Sequence, residues 1–310
     1  MAPAGGRRPV APTPGRFRRV TARALLAAAA RVVALAAPLP AQAAHSFTIA
    51  TQPAPLVRGA VGLITVRSAG SDSVASLDGR AADEPLHLHR ADAGGFTALI
   101  GVPIEGPDSL VVMLFPADAG GDSVAVTIPV SAGAYRSERL HVAEKYAKPD
   151  TAAQRRIGEE IAQARTISRD AHLTPRLWSQ TFTPPRPGRV TSRFGTARVL
   201  NGEVQSRHLG TDFAGAVGAP VRAANAGVVA LVGDFYLAGT VVYVDHGEGL
   251  VTGYFHLSRA EVSTGDTVAR GQIIGRVGQS GRVTGPHLHW IARYGSITVD
   301  PMSLVKLGKQ

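Results

Sequence analysis

Four histidines and one aspartate in the last third of the chain have the types and spacing of a metal site. His208 and Asp212 stand in His-Leu-Gly-Thr-Asp, His256 follows Tyr254-Phe255, and His287 and His289 stand in Gly-Pro-His-Leu-His-Trp. What a His-x-His pair can do depends on the backbone beneath it: in a strand residues i and i+2 share a face, whereas on a helix they point apart. Trp290, Ile291 and Tyr294 follow this pair and a Gly-Pro precedes it, which predicts entry to a strand with both imidazoles facing one way. His208 and Asp212, four apart, share a face on a strand as on a helix, but Gly210 between them and the Gly- and Val-rich surroundings disfavour the helix. Two imidazole nitrogens and one carboxylate oxygen suit Zn2+, one ion per chain. Three protein ligands leave the fourth tetrahedral position to water, which separates a catalytic zinc from a closed structural one.

Composition narrows the alternatives. The 310 residues include no cysteine, which removes disulfide frameworks, Cys-ligated zinc and thiol nucleophiles. The net charge of +10 could suggest nucleic acid, but seven of those charges are arginines in residues 1 to 44, a stretch without an acid. With that stretch removed and few aromatics available to stack bases, a nucleic-acid partner is not expected. Residues 1–43 read as a signal peptide: a basic leader, the apolar run Ala24 to Ala37, then Ala41-Gln42-Ala43 as a cleavage pattern, with the cut before Ala44. The run is shorter than the ~20 residues a permanent span needs, so export without a stable membrane span is expected.

The elements that must position the five residues are mainly β. In residues 44–145 the runs Val61–Val66, Phe96–Ile100, Leu110–Phe115 and Ser123–Val130, separated by Gly, Asp, Ser and Pro, predict a small sandwich. His87 and His89 form a second His-x-His there, but without further ligands the pair reads as surface, as do His45, His141 and His172. Residues 146–187 read as a connector: a helix capped by Asp150 with Ile157, Ile161, Ala164 and Ile167 along its packed face, then a linker stiffened by Pro184, Pro185 and Pro187. Residues 188–310 supply a second β-domain, with runs at Ala226–Val232, Thr240–Asp245, Leu250–Leu257, Gln272–Val277 and His287–Tyr294. Gly247-Glu248-Gly249 reads as a hairpin turn rather than a dinucleotide loop, since no helix follows it.

His208-x-x-x-Asp212, Tyr254-Phe-His256-Leu-Ser and Gly285-Pro-His287-Leu-His289-Trp, together with Ser192-Arg-Phe-Gly195, Asn201-Gly202 and Gly265-Asp266, resemble the M23 metallopeptidases, the lysostaphin and LytM type of peptidoglycan endopeptidase. The resemblance covers roughly residues 182 to 304. It implies an antiparallel β metallopeptidase domain of the duplicated-hybrid-motif type, with an immunoglobulin-like β-sandwich ahead of it. It also implies that His208, Asp212 and His289 bind zinc and that His287 and His256 are the unligated catalytic pair. The substrate it implies is the peptide stems and cross-bridges of peptidoglycan, in the periplasm or the extracellular cell-wall space.

That division of roles is chemically sound. Zinc lowers the pKa of its water from about 15.7 toward ~7 and polarises a scissile carbonyl. His287, two residues from a ligand, is placed to act as base, and His256 to hydrogen-bond the water or the oxyanion. Ligands must be deprotonated, so activity is expected near neutral or mildly alkaline pH. No His-Glu-x-x-His occurs to supply a glutamate base, and His246 reads as part of a turn. A rival is the non-catalytic family member that activates a cell-wall amidase; all five positions being filled argues against it. A biotinyl or lipoyl carrier needs a modifiable lysine, and residues 182 to 305 contain none.

Overall fold

Burial alternates along the front strands, so each sheet there has one apolar face to cover. Val61–Ser68 buries Ile64 and Val66, and Ser109–Pro116 buries Val112 and Leu114. The two faces meet. A four-stranded sheet in the order Phe47–Gln52, Val61–Ser68, Phe96–Gly101, His89–Arg90 and a five-stranded sheet in the order Leu56–Val57, Val124–Ser131, Ser109–Pro116, Leu77–Ala81, Glu84–Leu86 share one core. Full burial of each large apolar side chain in it is worth roughly 1.5–3 kcal/mol. The structure, a computed structural model, describes residues 46–69, 74–117, 122–139, 150–200 and 203–307. The expected signal peptide, His45 and His141 lie outside the described residues. Among the described residues no helix is long and apolar enough to cross a membrane.

The connector helix, Thr151–Asp170, begins where the Asp150 carboxylate accepts the Ala153 N–H at 2.8 Å, satisfying one of the free donors of the first turn. Of the expected face, Ala164 is buried and Ile167 packs beside it, but Ile161 turns away. Ile161 is 48% exposed, while the small Ala164 and the following Ala171 sit against Phe235, Tyr243, Phe255 and Ile291. Glu160 explains the rotation: its carboxylate accepts the Tyr236 N–H at 2.9 Å and holds Arg156 at 2.7 Å, so position 160 turns toward the sheet and 161 turns away. Phe182, ahead of the prolines, is buried in the rear core, and Thr183 and Pro185 hydrogen-bond to Ala224 and Arg222 along the rear sheet.

The rear region is built on one antiparallel sheet in which Thr211–Ala214, His287–Tyr294, Leu250–Ala260, Gly239–Gly247 and Gly227–Phe235 stand side by side. Its inner face is packed by Leu288, Trp290, Ala292 and Tyr294 and by Leu250 and Tyr254 from the neighbouring strand, all buried. The alternate residues of the same strand, His287, His289 and Ile291, therefore face outward. Glu248 and Gly249 join two of the long strands with φ of 52° and 77°, the two-residue turn whose twist matches the strands it connects.

Front and rear belong to a single compact unit, Ala44–Gln310, and polar side chains fill the seam between them. Glu84 is buried there, accepting the Ser296 N–H at 2.7 Å and facing His172 Nε2 at 3.0 Å; the Tyr294 hydroxyl donates to the Pro85 carbonyl at 2.7 Å. His172 is thus a seam residue and not the surface residue expected: its other nitrogen lies 2.9 Å from His87 Nε2, and the two rings stack. Glu248 ties Arg176 at 2.9 Å and His89 at 2.5 Å into the same region.

Burial pushes the Glu84 carboxyl up, but the hydrogen bonds from His172 and Ser296 outweigh it and hold the group at about 2 against an ordinary 4.5. A pKa depressed by folding contributes stability that is full above the unfolded value and lost as pH falls through the folded one. Glu84→Gln is therefore expected to lower the thermal midpoint by about 4 °C at pH 7, with the gap closing between pH 4.5 and 2. A gap that stays constant over that range in a pH series of melting curves would show that the seam does not use the carboxylate charge.

Candidate metal centre

The centre starts from a cross-strand pair. In the antiparallel ladder Asp212 stands directly opposite His289, so a carboxylate and an imidazole share the outer face, with His289 Nδ1 2.7 Å from Asp212 Oδ1. His208 comes from outside the strand. It precedes Thr211–Ala214, and the bend at Gly210 turns it back, placing its Nε2 3.1 Å from Asp212 Oδ1 and 3.0 Å from His289 Nδ1. The expectation that His208 and Asp212 share a face of one strand is thus corrected: only Asp212 is on the strand. Gly210 is also required for space, because a Cβ there would lie against the His289 ring and the Trp290 carbonyl. In the sequence that glycine speaks only against a helix; its need for space comes from the fold.

The outer sides of these residues are fixed as well. His208 Nδ1–H donates to the Arg193 carbonyl at 3.0 Å, with Ser192 Oγ at 3.2 Å, which leaves the Nε2 lone pair aimed at Asp212 and His289. Phe255, opposite His289 on the next strand, lays its ring 5.5 Å from that imidazole. Burial pushes the Asp212 carboxyl up, yet the His208 and His289 imidazoles against it overcome that and hold the group well below the usual carboxylate range. Burial also pushes His289 down, toward the neutral form. An ionised carboxylate and two imidazoles converging on one point, with His208 turned by a backbone carbonyl to offer a lone pair, fit a divalent metal with N and O ligands.

Two further imidazoles face this triad. His287 Nδ1–H donates to the Gly285 carbonyl at 2.9 Å, and its Nε2 lies 3.8 Å from Asp212 Oδ1. His256 Nδ1–H donates to the Ser280 carbonyl at 2.9 Å, and its ring centroid is 4.9 Å from that of His287 and 5.9 Å from that of His289. A carbonyl oxygen only accepts, so each ring carries a proton on Nδ1 and in its neutral form presents Nε2 as a lone pair. Burial lowers His256 to about 4, keeping it neutral at physiological pH.

Simple strand alternation would put His256 on the wrong side. Its neighbour Phe255 pairs with His289 and shares the outer face, so His256 should point inward. Its backbone instead has φ of 60°, in the left-handed region, beside an irregularity in the pairing with Gly239–Gly247. The reversed residue turns its ring outward, and its N–H is taken by the Ala238 carbonyl at 2.8 Å. A histidine at positive φ is uncommon and costs of order 1–3 kcal/mol where the surroundings enforce it.

All five residues singled out from the sequence come together in the structure. His246 does not join them: it is fully buried beneath the sheet, bonded to the Ala226 carbonyl at 2.7 Å and Thr252 Oγ1 at 2.8 Å. His87 and His89 lie at the seam. The carbonyls of Arg193, Gly285 and Ser280, which set three tautomers, were not found from the sequence, since every residue carries a carbonyl and no side-chain pattern marks these three.

Residues 206–301 match the model of Peptidase family M23. Among curated proteins, the chain is 40% identical over 118 residues to the peptidoglycan DD-endopeptidase ShyC of Vibrio cholerae and 42% identical over 112 residues to ShyA of the same organism. These stretches are 37% and 36% of this chain but only 27% and 24% of the relatives, so the chain spans about a quarter of their length. Among solved structures, one from Pseudomonas aeruginosa described as a candidate M23 peptidase superposes with a TM-score of 0.63 at 27% identity, covering 82% of this chain and 96% of that one. Residues 206–301, which hold all five converging side chains, are a domain of Peptidase family M23.

Proposed function

We propose that the chain is an exported, zinc-dependent endopeptidase that hydrolyses peptide cross-links of bacterial peptidoglycan, with His208, Asp212 and His289 as ligands and His287 and His256 as the catalytic pair. The observation that carries the reading is the convergence of two lone-pair-bearing imidazoles on a triad of two histidines and a carboxylate. The substrate class rests on the relatives named peptidoglycan DD-endopeptidases, and the immunoglobulin-like character of the front sandwich belongs to the same proposal.

Bound at the triad, zinc would lower the pKa of a water toward ~7 and polarise the scissile carbonyl. The protein's own groups then move the proton. His287 Nε2, its other nitrogen held by Gly285, takes the proton of the attacking water and delivers it to the leaving amine nitrogen. His256, neutral and with Nδ1–H committed to Ser280, accepts a hydrogen bond through Nε2 and so orients the water, rather than donating to an oxyanion. The sheet supplies rigidity, since both strands that carry the histidines bury their inner faces in the core.

Purified peptidoglycan incubated with the protein is expected to release peptide-cleaved fragments by mass spectrometry, with cleavage abolished by a chelator and restored by Zn2+; cleavage indifferent to the chelator would remove the metal from the mechanism. His208→Ala is expected to lose metal and turnover together, whereas His256→Ala keeps full zinc content and loses roughly 10²–10⁴-fold in turnover. Near-parental turnover in His256→Ala would return that residue to a structural role. Gly210→Ala, which pushes a methyl group against His289, is expected to weaken Zn2+ binding about tenfold or more in a chelator competition. Unchanged affinity there would mean that the bend has room to shift.

A further inference from the structure

We infer that the front region is part of the scaffold of the metal centre: the chain leaving it, from Tyr135 onward, holds the turn that presents His208, and Tyr135 is the positioning residue. The inference rests on His208 being a ligand.

His208 is fastened to one short turn. Its carbonyl accepts the Gly195 N–H at 2.8 Å, its own N–H donates to Thr196 at 2.9 Å, and its Nδ1–H donates to Arg193 at 3.0 Å. Any shift of residues 193–196 therefore moves the imidazole. Besides Arg207, chain from before the connector helix braces that turn. Ser137–Arg139 adds in parallel to Ala197–Leu200, the strand that leaves the turn, and the Ala197 N–H donates to the Arg136 carbonyl at 2.8 Å. Tyr135 is wedged at the other end. Its ring meets the buried Phe194 edge-on at 6.0 Å and lies so close to Gly195, which has φ of 78°, that a Cβ at 195 would overlap it. The Arg207 guanidinium sits 5.9 Å over the same ring while donating to the Gly195 carbonyl at 3.1 Å. The ring is anchored in turn on the front region, where its hydroxyl donates to the Arg58 carbonyl. Thus a rigid aromatic side chain, carried by the segment that follows the sandwich, backs the turn whose three hydrogen bonds orient His208.

The test is Zn2+ affinity of the full chain in competition with a chromophoric chelator, with thermal midpoints recorded in parallel. Tyr135→Ala is expected to weaken Zn2+ roughly ten- to a hundredfold, the range for loss of a group that orients a ligand. Tyr135→Phe, which keeps the ring against Phe194 and Gly195, is expected to stay within about threefold. Leu114→Ala, in the front core and remote from the turn, is expected to lower the midpoint and leave Zn2+ affinity unchanged. Tyr135→Leu covers the case in which the alanine chain fails to fold, with a loss of about threefold or more expected. Parental affinity in the Tyr135 variants, or an equal loss in Leu114→Ala, overturns the positioning role. A His208→Ala chain that keeps full affinity overturns instead the ligand assignment beneath it.

Discussion

A sheet whose inner face is filled by Leu288, Trp290 and Tyr254 has no freedom to slip, because a shift of one residue would carry those side chains into water and the histidines into the core. Leu288 alone is worth roughly 1.5–3 kcal/mol in its buried position. That constraint puts Asp212 opposite His289 and turns His287 and His289 outward together. The chemistry on the outer face is therefore specified by packing on the inner one. Polar groups that would cost energy in the core stand where they can hold a metal.

The remaining histidines are placed by departures from regular structure. His208 is brought in by a bend, and His256 by a residue in the left-handed region that reverses the strand's alternation. The local cost is met by neighbours that over-determine the geometry: His256 is held through its N–H by Ala238 and through its ring by Ser280. The Ser280 hydroxyl ties two chain segments together, accepting the Thr240 N–H at 2.9 Å and donating to the Leu257 carbonyl at 2.7 Å. The candidate site thus joins three residues set by regular pairing to two set where it gives way.

The front sandwich is more than an attachment. It meets the rear region through buried Glu84 and its partners His172 and Ser296, and through the strand that Ser137–Arg139 adds beside Ala197–Leu200. That carboxylate is buried and answered by donors from both His172 and Ser296, so its charge is satisfied within the seam. The connector helix packs on the outer face of the rear sheet, over Phe255 and Ile291, neighbours of His289.

Read alone, the chain declared its β character, the helix cap at Asp150, the hairpin at Glu248-Gly249 and the five residues that converge. The first three, and the shared face of His287 and His289, follow from local rules, since alternation, capping and turn chemistry act over a few residues; the roles of His208, Asp212 and His256 beside that pair are carried by the resemblance of their motifs to the M23 metallopeptidases. Tertiary structure decided what those rules do not reach. It put Asp212 against His289 across 77 residues of chain, turned His256 against its own alternation, and made Gly210 a matter of space. It drew Glu84 and His172, each unremarkable in sequence, into one buried seam, and turned Ile161 outward because Glu160 had a partner on the sheet. The reason is physical: a residue's type and spacing report the face it shares with near neighbours, whereas the partner across that face is set by strand register and by backbone carbonyls that every residue carries alike.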